Sequence, residues 1–284
     1  MKCFITGPRG LLGSTLLRVL TEAGHEAIPY EGDIRDAGAV ASAVAAANPA
    51  WVVHTAAIAS VADCEKNPAE AHAVNGVGTK NVTNAARAVG ARCIYISTVS
   101  VFSGHEGNYK ESDAPEPINV YNTTKREGEI AALAYEKSMV LRLNLVGVHP
   151  NGSRGKSFLE WLIDSIRADK DLTLFDDQFM NPLSNWTVAA LIKSIIEKDI
   201  SEKIVHIGTS DALSKAAVGK LVLARFPEYR GTITEKSVDS IADGIVRPKQ
   251  MWLNTDRAVA LLGAMPTIVQ ELDTVFRRPP FEGQ

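Results

Sequence analysis

The chain has 284 residues, 45% of them hydrophobic, and its 30 Lys and Arg against 33 Asp and Glu give a net charge of -3. That length suits one large α/β domain or two modest ones, and the apolar content excludes an intrinsically disordered chain. Without a basic excess or charge blocks, nucleic-acid and membrane-surface binding are disfavoured, and no apolar run approaches the roughly 18 to 20 residues of a membrane span.

Taken in chain order, short apolar runs at 2–6, 25–30, 51–55, 92–97 and 138–144 predict five strands, with enough chain between them for crossover helices. Residues 11–22 carry Leu12, Leu16, Val19 and Leu20 at helical spacing, and Gly24 stands where a glycine cap would end that helix. Residues 75–89 carry Val77, Val82, Ala85 and Val89 before Gly90. Past Pro150 the chain turns rich in Gly, Asn and Pro, with separate helices expected at 158–168, 187–198 and 267–276. The expectation is an α/β fold with a doubly wound parallel sheet and a smaller C-terminal substrate-binding lobe. Residues 1–150 would form the nucleotide-binding part, with 183–207 returning to it, and 151–182 with 208–284 the substrate lobe.

Cys3, Cys64 and Cys93 are far apart and form no CxxC, so neither a disulfide framework nor a thiolate zinc site is expected. The opening Met1-Lys2-Cys3-Phe4-Ile5-Thr6-Gly7 reaches glycine too early for a signal peptide. A cytoplasmic protein is therefore expected, in which Asn-x-Ser/Thr triplets such as Asn81-Val82-Thr83 have no glycosylation meaning. The six histidines form neither an HExxH nor a close pair, so no metal is expected, and the absence of a GxSxG elbow disfavours a serine hydrolase.

Three segments carry chemistry. Gly7-Pro8-Arg9-Gly10-Leu11-Leu12-Gly13 follows the first strand and opens the first helix, which points to a Rossmann-type dinucleotide site: glycines admit a close backbone approach, and free helix amides receive a pyrophosphate. Asp33 and Ile34 after the second strand are placed for an adenine, and Ala56 and Ala57 after the third are small enough for a cofactor to lie against them. In Tyr121-Asn122-Thr123-Thr124-Lys125, Tyr121 and Lys125 share a helical face, so an ammonium beside the phenol is expected to lower its pKa toward neutrality. Ser97 and Thr98 end the fourth strand at the sheet edge where open α/β folds bind ligands.

Together these resemble the extended short-chain dehydrogenase/reductase family. Ala73-Val74-Asn75-Gly76-Val77-Gly78-Thr79 is similar to its V-N-x-x-G-T segment, and residues 121–129, YNTTKREGE, to its Y-x-x-[ST]-K-x-x-x-E helix. Within it the chain is most similar to the dTDP-4-dehydrorhamnose reductases, which reduce the 4-keto group of a nucleotide-linked deoxysugar. Asp177-Gln178-Phe179 before Pro182, Arg247-Pro248, Leu253-Asn254-Thr255 and Leu261-Leu262-Gly263 extend the likeness along the chain. The resemblance implies that Tyr121 donates the proton, Thr98 orients the carbonyl oxygen, and Lys125 holds the ribose while acidifying Tyr121; Asn75 is carried over with the cofactor-binding set. Val99 stands where these reductases carry an acid, which also separates the chain from sugar-nucleotide dehydratases. Val99, Asn144 and Arg247 are the substrate-side candidates, Arg247 for a diphosphate.

Arg9 matches an arginine in GDP-fucose synthase, which uses NADPH, and favours NADP. Glu31, 18 residues after Gly13, keeps NAD open as the alternative. Residues 152–157, GSRGKS, resemble the end of a Walker A loop, but Pro150 replaces its first glycine; Arg154 and Lys156 are read there as loop residues. The expected ligand is a nucleotide-linked keto sugar, and the resemblance implies a homodimer through helices flanking the sheet. Two other readings remain: an epimerase of the same family, which would not consume NADPH, and a non-catalytic NADP-binding regulatory subunit like that of methionine adenosyltransferase.

Overall fold

The structure is a computed structural model, in which residues 1–149 and 157–278 are described; residues 152–156 of the Walker-like stretch lie outside them. In chain order, β1 (Lys2–Thr6) leads into α1 (Leu11–Glu22), followed by β2 (Glu26–Tyr30), α2 (Ala37–Ala47) and β3 (Trp51–His54). Short helices α3 (Val61–Lys66) and α4 (Pro68–Ala71) precede a π-helical stretch, His72–Gly78, that runs into α5 (Thr79–Ala88). Then come β4 (Arg92–Ile96), α6 (Val120–Leu133), β5 (Ser138–Arg142), β6 (Leu145–Val146) and α7 (Phe158–Arg167). The remainder is β7 (Leu172–Phe175), β8 (Phe179–Met180), β9 (Leu183–Ser184), α8 (Asn185–Glu197), β10 (Ile204–His206), β11 (Leu213–Ser214), α9 (Lys215–Leu223), β12 (Ile233–Lys236), β13 (Gln250–Met251), α10 (Asp256–Leu262) and α11 (Ile268–Phe276).

One parallel sheet runs in the order β10-β5-β4-β3-β1-β2. The chain reverses direction across the sheet between β1 and β3, and ligands bind at such a switch point. Alternate residues of each strand serve opposite cores. Ile5, Val53, Ile94 and Leu141 pack against Leu16 and Leu20 of α1 and Ile192 and Ile196 of α8. Phe4, Val52 and Cys93 pack against Val40, Val44, Val82 and Ala86 of α2 and α5. Each such fully buried apolar side chain contributes roughly 1.5–3 kcal/mol relative to exposure. The C-terminal half has a core of its own, including Leu159, Ile163, Leu174, Val218 and Leu272. Among the described residues no helix is long and apolar enough to cross a membrane.

The sequence pattern predicts five strands in this sheet, and the structure has six: β10 adds to the edge of β5, with Val205 opposite Leu141. Three residues are too few for a periodicity signal. The helix expected at 75–89 begins only at Thr79. Before it, π-helical pairing shifts the helical face, and the stretch packs tightly enough that a Cβ on Gly78 would come within 2.7 Å of Ile34. Strands β3, β4 and β5 end one or two residues earlier than expected, and Thr55, Ser97 and Asn144 beyond their ends all line a cleft.

Candidate active site

The glycine loop forms a close-fitting cradle. Gly7 has φ +69°, and a Cβ there would come within 2.8 Å of the Ala56 backbone. On Gly13 it would lie 2.1 Å from the Gly7 carbonyl oxygen. The α1 N-cap is Gly10, with no side-chain cap and no acid in the first turn. The first-turn amides, including those of Leu11 and Leu12, therefore have no intrahelical acceptor and face the cleft as anion donors. A cavity of about 370 Å³ adjoins the loop, walled by Gly7, Arg9, Asp33, Ile34, Ala56 and Ala57 among others. These residues fit a dinucleotide: small side chains beside bare amides, with a cation at the mouth. Arg9 lies 3.9 Å from Glu31, and both side chains are mostly exposed, so this weak pair leaves Arg9 available to a phosphate. Asp33 is held by Arg35, whose guanidinium donates at 2.6 Å and lowers the carboxyl pKa. Arg35 lines the same cavity, a placement that nothing in the Asp33–Asp36 segment signals in the sequence.

Next to it, a cleft of about 640 Å³ is lined by Gly10, Leu11, Leu12 and Gly13 on one side and by Thr98, Tyr121, Lys125 and Asn144 on the other. Tyr121 and Lys125 sit one turn apart in α6, whose N-cap Asn119 accepts from the Asn122 amide. Lys125 is buried; its Nζ donates to the Ile96 carbonyl at 2.7 Å and lies 4.3 Å from the Tyr95 ring centroid. Burial pushes its pKa down to about 7, with the Glu129 carboxylate pulling the other way.

The Tyr121 phenol differs from expectation. Burial pushes it up to about 12, and the opposing influence is a hydrogen bond with Thr98 rather than the Lys125 ammonium. Desolvation of the phenolate outweighs a lysine that is itself partly discharged by burial. Tyr121 therefore holds its proton firmly at neutral pH.

Below the cleft, Glu129 and Arg142 are fully buried partners. Arg142 donates twice to the carboxylate, at 2.7 and 2.8 Å, while Ser97 Oγ donates at 2.6 Å and Arg126 at 2.9 Å. This floor ties α6 to β4 and β5, one residue before Thr98 and one turn after Lys125. Its acid is visible in the YNTTKREGE pattern, but its partner Arg142 lies on a strand with no local signal.

Of the other expected residues, Asn144 lines the cleft and the rest fall elsewhere. Asn75 is buried: it bonds both the amide and the carbonyl of Ile58 and reaches Thr124, so it fixes the loop lining both cavities without being part of their walls. Val99, expected toward the substrate, opens a short turn and packs with Val101, Phe102, Tyr109 and Leu253, because an apolar side chain at that position enters the core. Asn144 lines the cleft and donates to the Met251 carbonyl at 2.7 Å. Arg247, expected at a diphosphate, is gripped by Asp243 instead.

A third cavity, about 680 Å³, shares Ser157 and Phe158 with the catalytic cleft. Phe158, Trp161 and Phe175 give it aromatic walls, Lys215 and Lys236 give it cations, and no carboxylate lines it among the described residues. Sequence reasoning missed these residues, which come from four separate elements.

Residues 1–277 match the family described as the RmlD substrate binding domain. The chain belongs to this family. This RmlD-type chain is 29% identical over 293 residues to the probable low-salt glycan biosynthesis reductase Agl14 of Haloferax volcanii, covering 96% of each. It is 35% identical over 221 residues to the dTDP-4-dehydrorhamnose reductase of Streptomyces griseus, covering 76% of this chain and 67% of that one. Its fold matches the crystal structure of dTDP-4-dehydrorhamnose reductase from Bacillus anthracis in complex with NADP, with a TM-score of 0.89 at 26% identity over 97% of this chain and 99% of that one. A UDP-glucose 4-epimerase from Thermotoga maritima shares the fold of this RmlD-type chain at 21% identity, with a TM-score of 0.82.

Proposed function

We propose that this chain catalyses the NADPH-dependent reduction of the keto group of a nucleotide-linked deoxysugar, in the manner of a dTDP-4-dehydrorhamnose reductase. The observation that carries this reading is one succession of adjoining cavities along the sheet edge: bare α1 amides, then Thr98, Tyr121 and Lys125, then an aromatic, cationic chamber. A dinucleotide, a keto sugar and a nucleoside diphosphate need those three environments in that order.

A bound dihydronicotinamide would supply the hydride to the carbonyl carbon. Tyr121, kept protonated by its burial, donates its phenolic proton to the carbonyl oxygen. The Thr98 hydroxyl lines the same cleft and orients that oxygen by hydrogen bonding. Lys125 carries a buried cation that binds ribose hydroxyls and stabilises the phenolate left after transfer. Arg9 at the outer cavity supplies charge for a 2'-phosphate, which favours NADP over NAD. The three cysteines are free and buried, which suits a reducing cytoplasm. A homodimer through the flanking helices would have the exposed Val77, just before α5, and Ile130 of α6 to cover.

The test is to follow nicotinamide absorbance with NADPH or NADH while adding a panel of nucleotide-linked 4-keto sugars. Net oxidation of NADPH with one panel member is the expected result. Tight dinucleotide binding without turnover on any member would overturn the reductase assignment in favour of a hydride-recycling or regulatory role.

A further inference from the structure

The junction between the catalytic cleft and the aromatic chamber holds a cation that none of the expected site residues explains. Lys215 is the first residue of α9, where the helix amides already present partial positive charge. Its Nζ lies 5.5 Å from the centroid of the Phe158 ring, and Phe158 lines both cavities. Among the described residues its ammonium has neither an ion pair nor a hydrogen-bond acceptor. Burial and the nearby Arg247 charge push its pKa down to about 8, so it remains largely charged at neutral pH against both influences. Arg247 itself is already neutralised by two hydrogen bonds to Asp243, at 2.8 and 2.6 Å, and does not line the chamber. Lys236 adds a second ammonium on the chamber wall, also without an ion pair or hydrogen-bond acceptor among the described residues.

A molecule with its keto sugar at Tyr121 and an aromatic base against Phe158 and Trp161 must pass its phosphates through this junction. Resting on the sugar-nucleotide reading above, we infer that Lys215, rather than Arg247, binds the phosphate charge of the substrate and makes the chamber select nucleoside diphosphates over uncharged nucleosides. An anion here supplies the partner that the Lys215 ammonium lacks among the described residues.

The experiment is calorimetric titration of the full chain with dTDP and with thymidine, for the wild type, Lys215→Met, Lys215→Arg and Arg247→Met, at low and high salt. NADPH titration of each variant serves as the control for folding. Lys215→Met is expected to weaken dTDP binding ~10- to 100-fold and flatten its salt dependence while leaving thymidine and NADPH affinity unchanged. Lys215→Arg should restore most of the loss, and Arg247→Met should cost less than Lys215→Met. Equal weakening of dTDP and thymidine in Lys215→Met, or no weakening of either, would overturn the Lys215 assignment alone. A wild-type chain that binds NADPH but neither dTDP nor thymidine would overturn the sugar-nucleotide reading and the Lys215 assignment with it.

Discussion

Arg142 holds Glu129 through two hydrogen bonds to separate carboxylate oxygens, both side chains being out of contact with solvent. Removing one partner strands a buried charge, which costs more than the pair itself contributes. Glu129→Ala is therefore expected to lower unfolding free energy by about 3–5 kcal/mol in a denaturant titration. Ser97→Ala, which removes one of several bonds to the carboxylate, should cost only about 1 kcal/mol. A Glu129→Ala chain as stable as the wild type would show that the floor is not anchored by this pair.

Tyr121 offers the proton in the proposed reaction. Tyr121→Phe keeps the ring and removes only the hydroxyl, so turnover should fall by about 10²- to 10⁴-fold while NADPH binding changes little. Stopped-flow reduction together with fluorescence titration separates the two effects. Unchanged turnover would remove Tyr121 from the chemistry.

The Lys125 ammonium has its pKa lowered to about 7, and Tyr121 stays protonated to about 12. In the reducing direction the rate should therefore decline as pH rises through about 7, on the limb where Lys125 loses its charge, with no tyrosine limb in the accessible range. Lys125→Met should be slow throughout and lack that limb. A pH–rate profile of kcat for the two proteins tests this directly.

Any side chain at Gly13 collides with the Gly7 carbonyl. Gly13→Ala should displace the loop, costing about 1–3 kcal/mol of stability, and abolish measurable NADPH binding in a titration. Retained affinity would place the dinucleotide elsewhere.

His54 is buried between the hydroxyls of Thr6 and Thr79, and burial pushes its pKa down to about 3. An unfolded histidine takes up a proton near pH 6.5, while the folded one does not until about 3. Its contribution to stability is thus present above pH 6.5 and lost progressively as pH falls toward 3, by about 1.4 kcal/mol per unit. Between about pH 7.5, above that window, and about pH 5, inside it, the calorimetric Tm should drop further for the wild type than for His54→Gln.

Local chemistry was the legible part. The glycine loop, the Tyr121–Lys125 spacing and the apolar runs of β1 to β5 each depend on residues close together in sequence, and all appear where expected to within a residue or two at the strand ends. What the sequence concealed depends on burial and on distant partners. The pKa of Tyr121 moves opposite to expectation because desolvation, which has no sequence signature, dominates it. Val99 replaces an acid and so reads as a substrate contact, yet an apolar side chain there joins Phe102 and Leu253. The Arg-Pro setting of Arg247 does not show that Asp243, four residues earlier, occupies it.

The strand β10 pairs with β5 only after the chain has passed through α7 to α8, and its His206 receives a hydrogen bond from Arg142 at 3.3 Å. A nascent chain that has emerged only as far as α8 therefore has every residue of the reductive machinery and an open sheet edge beside it. Until residues 204–206 dock, Arg142 lacks its His206 partner. Cutting the chain between α8 and β10 would therefore leave the nucleotide-binding half with an unpaired β5 edge rather than as an independent module.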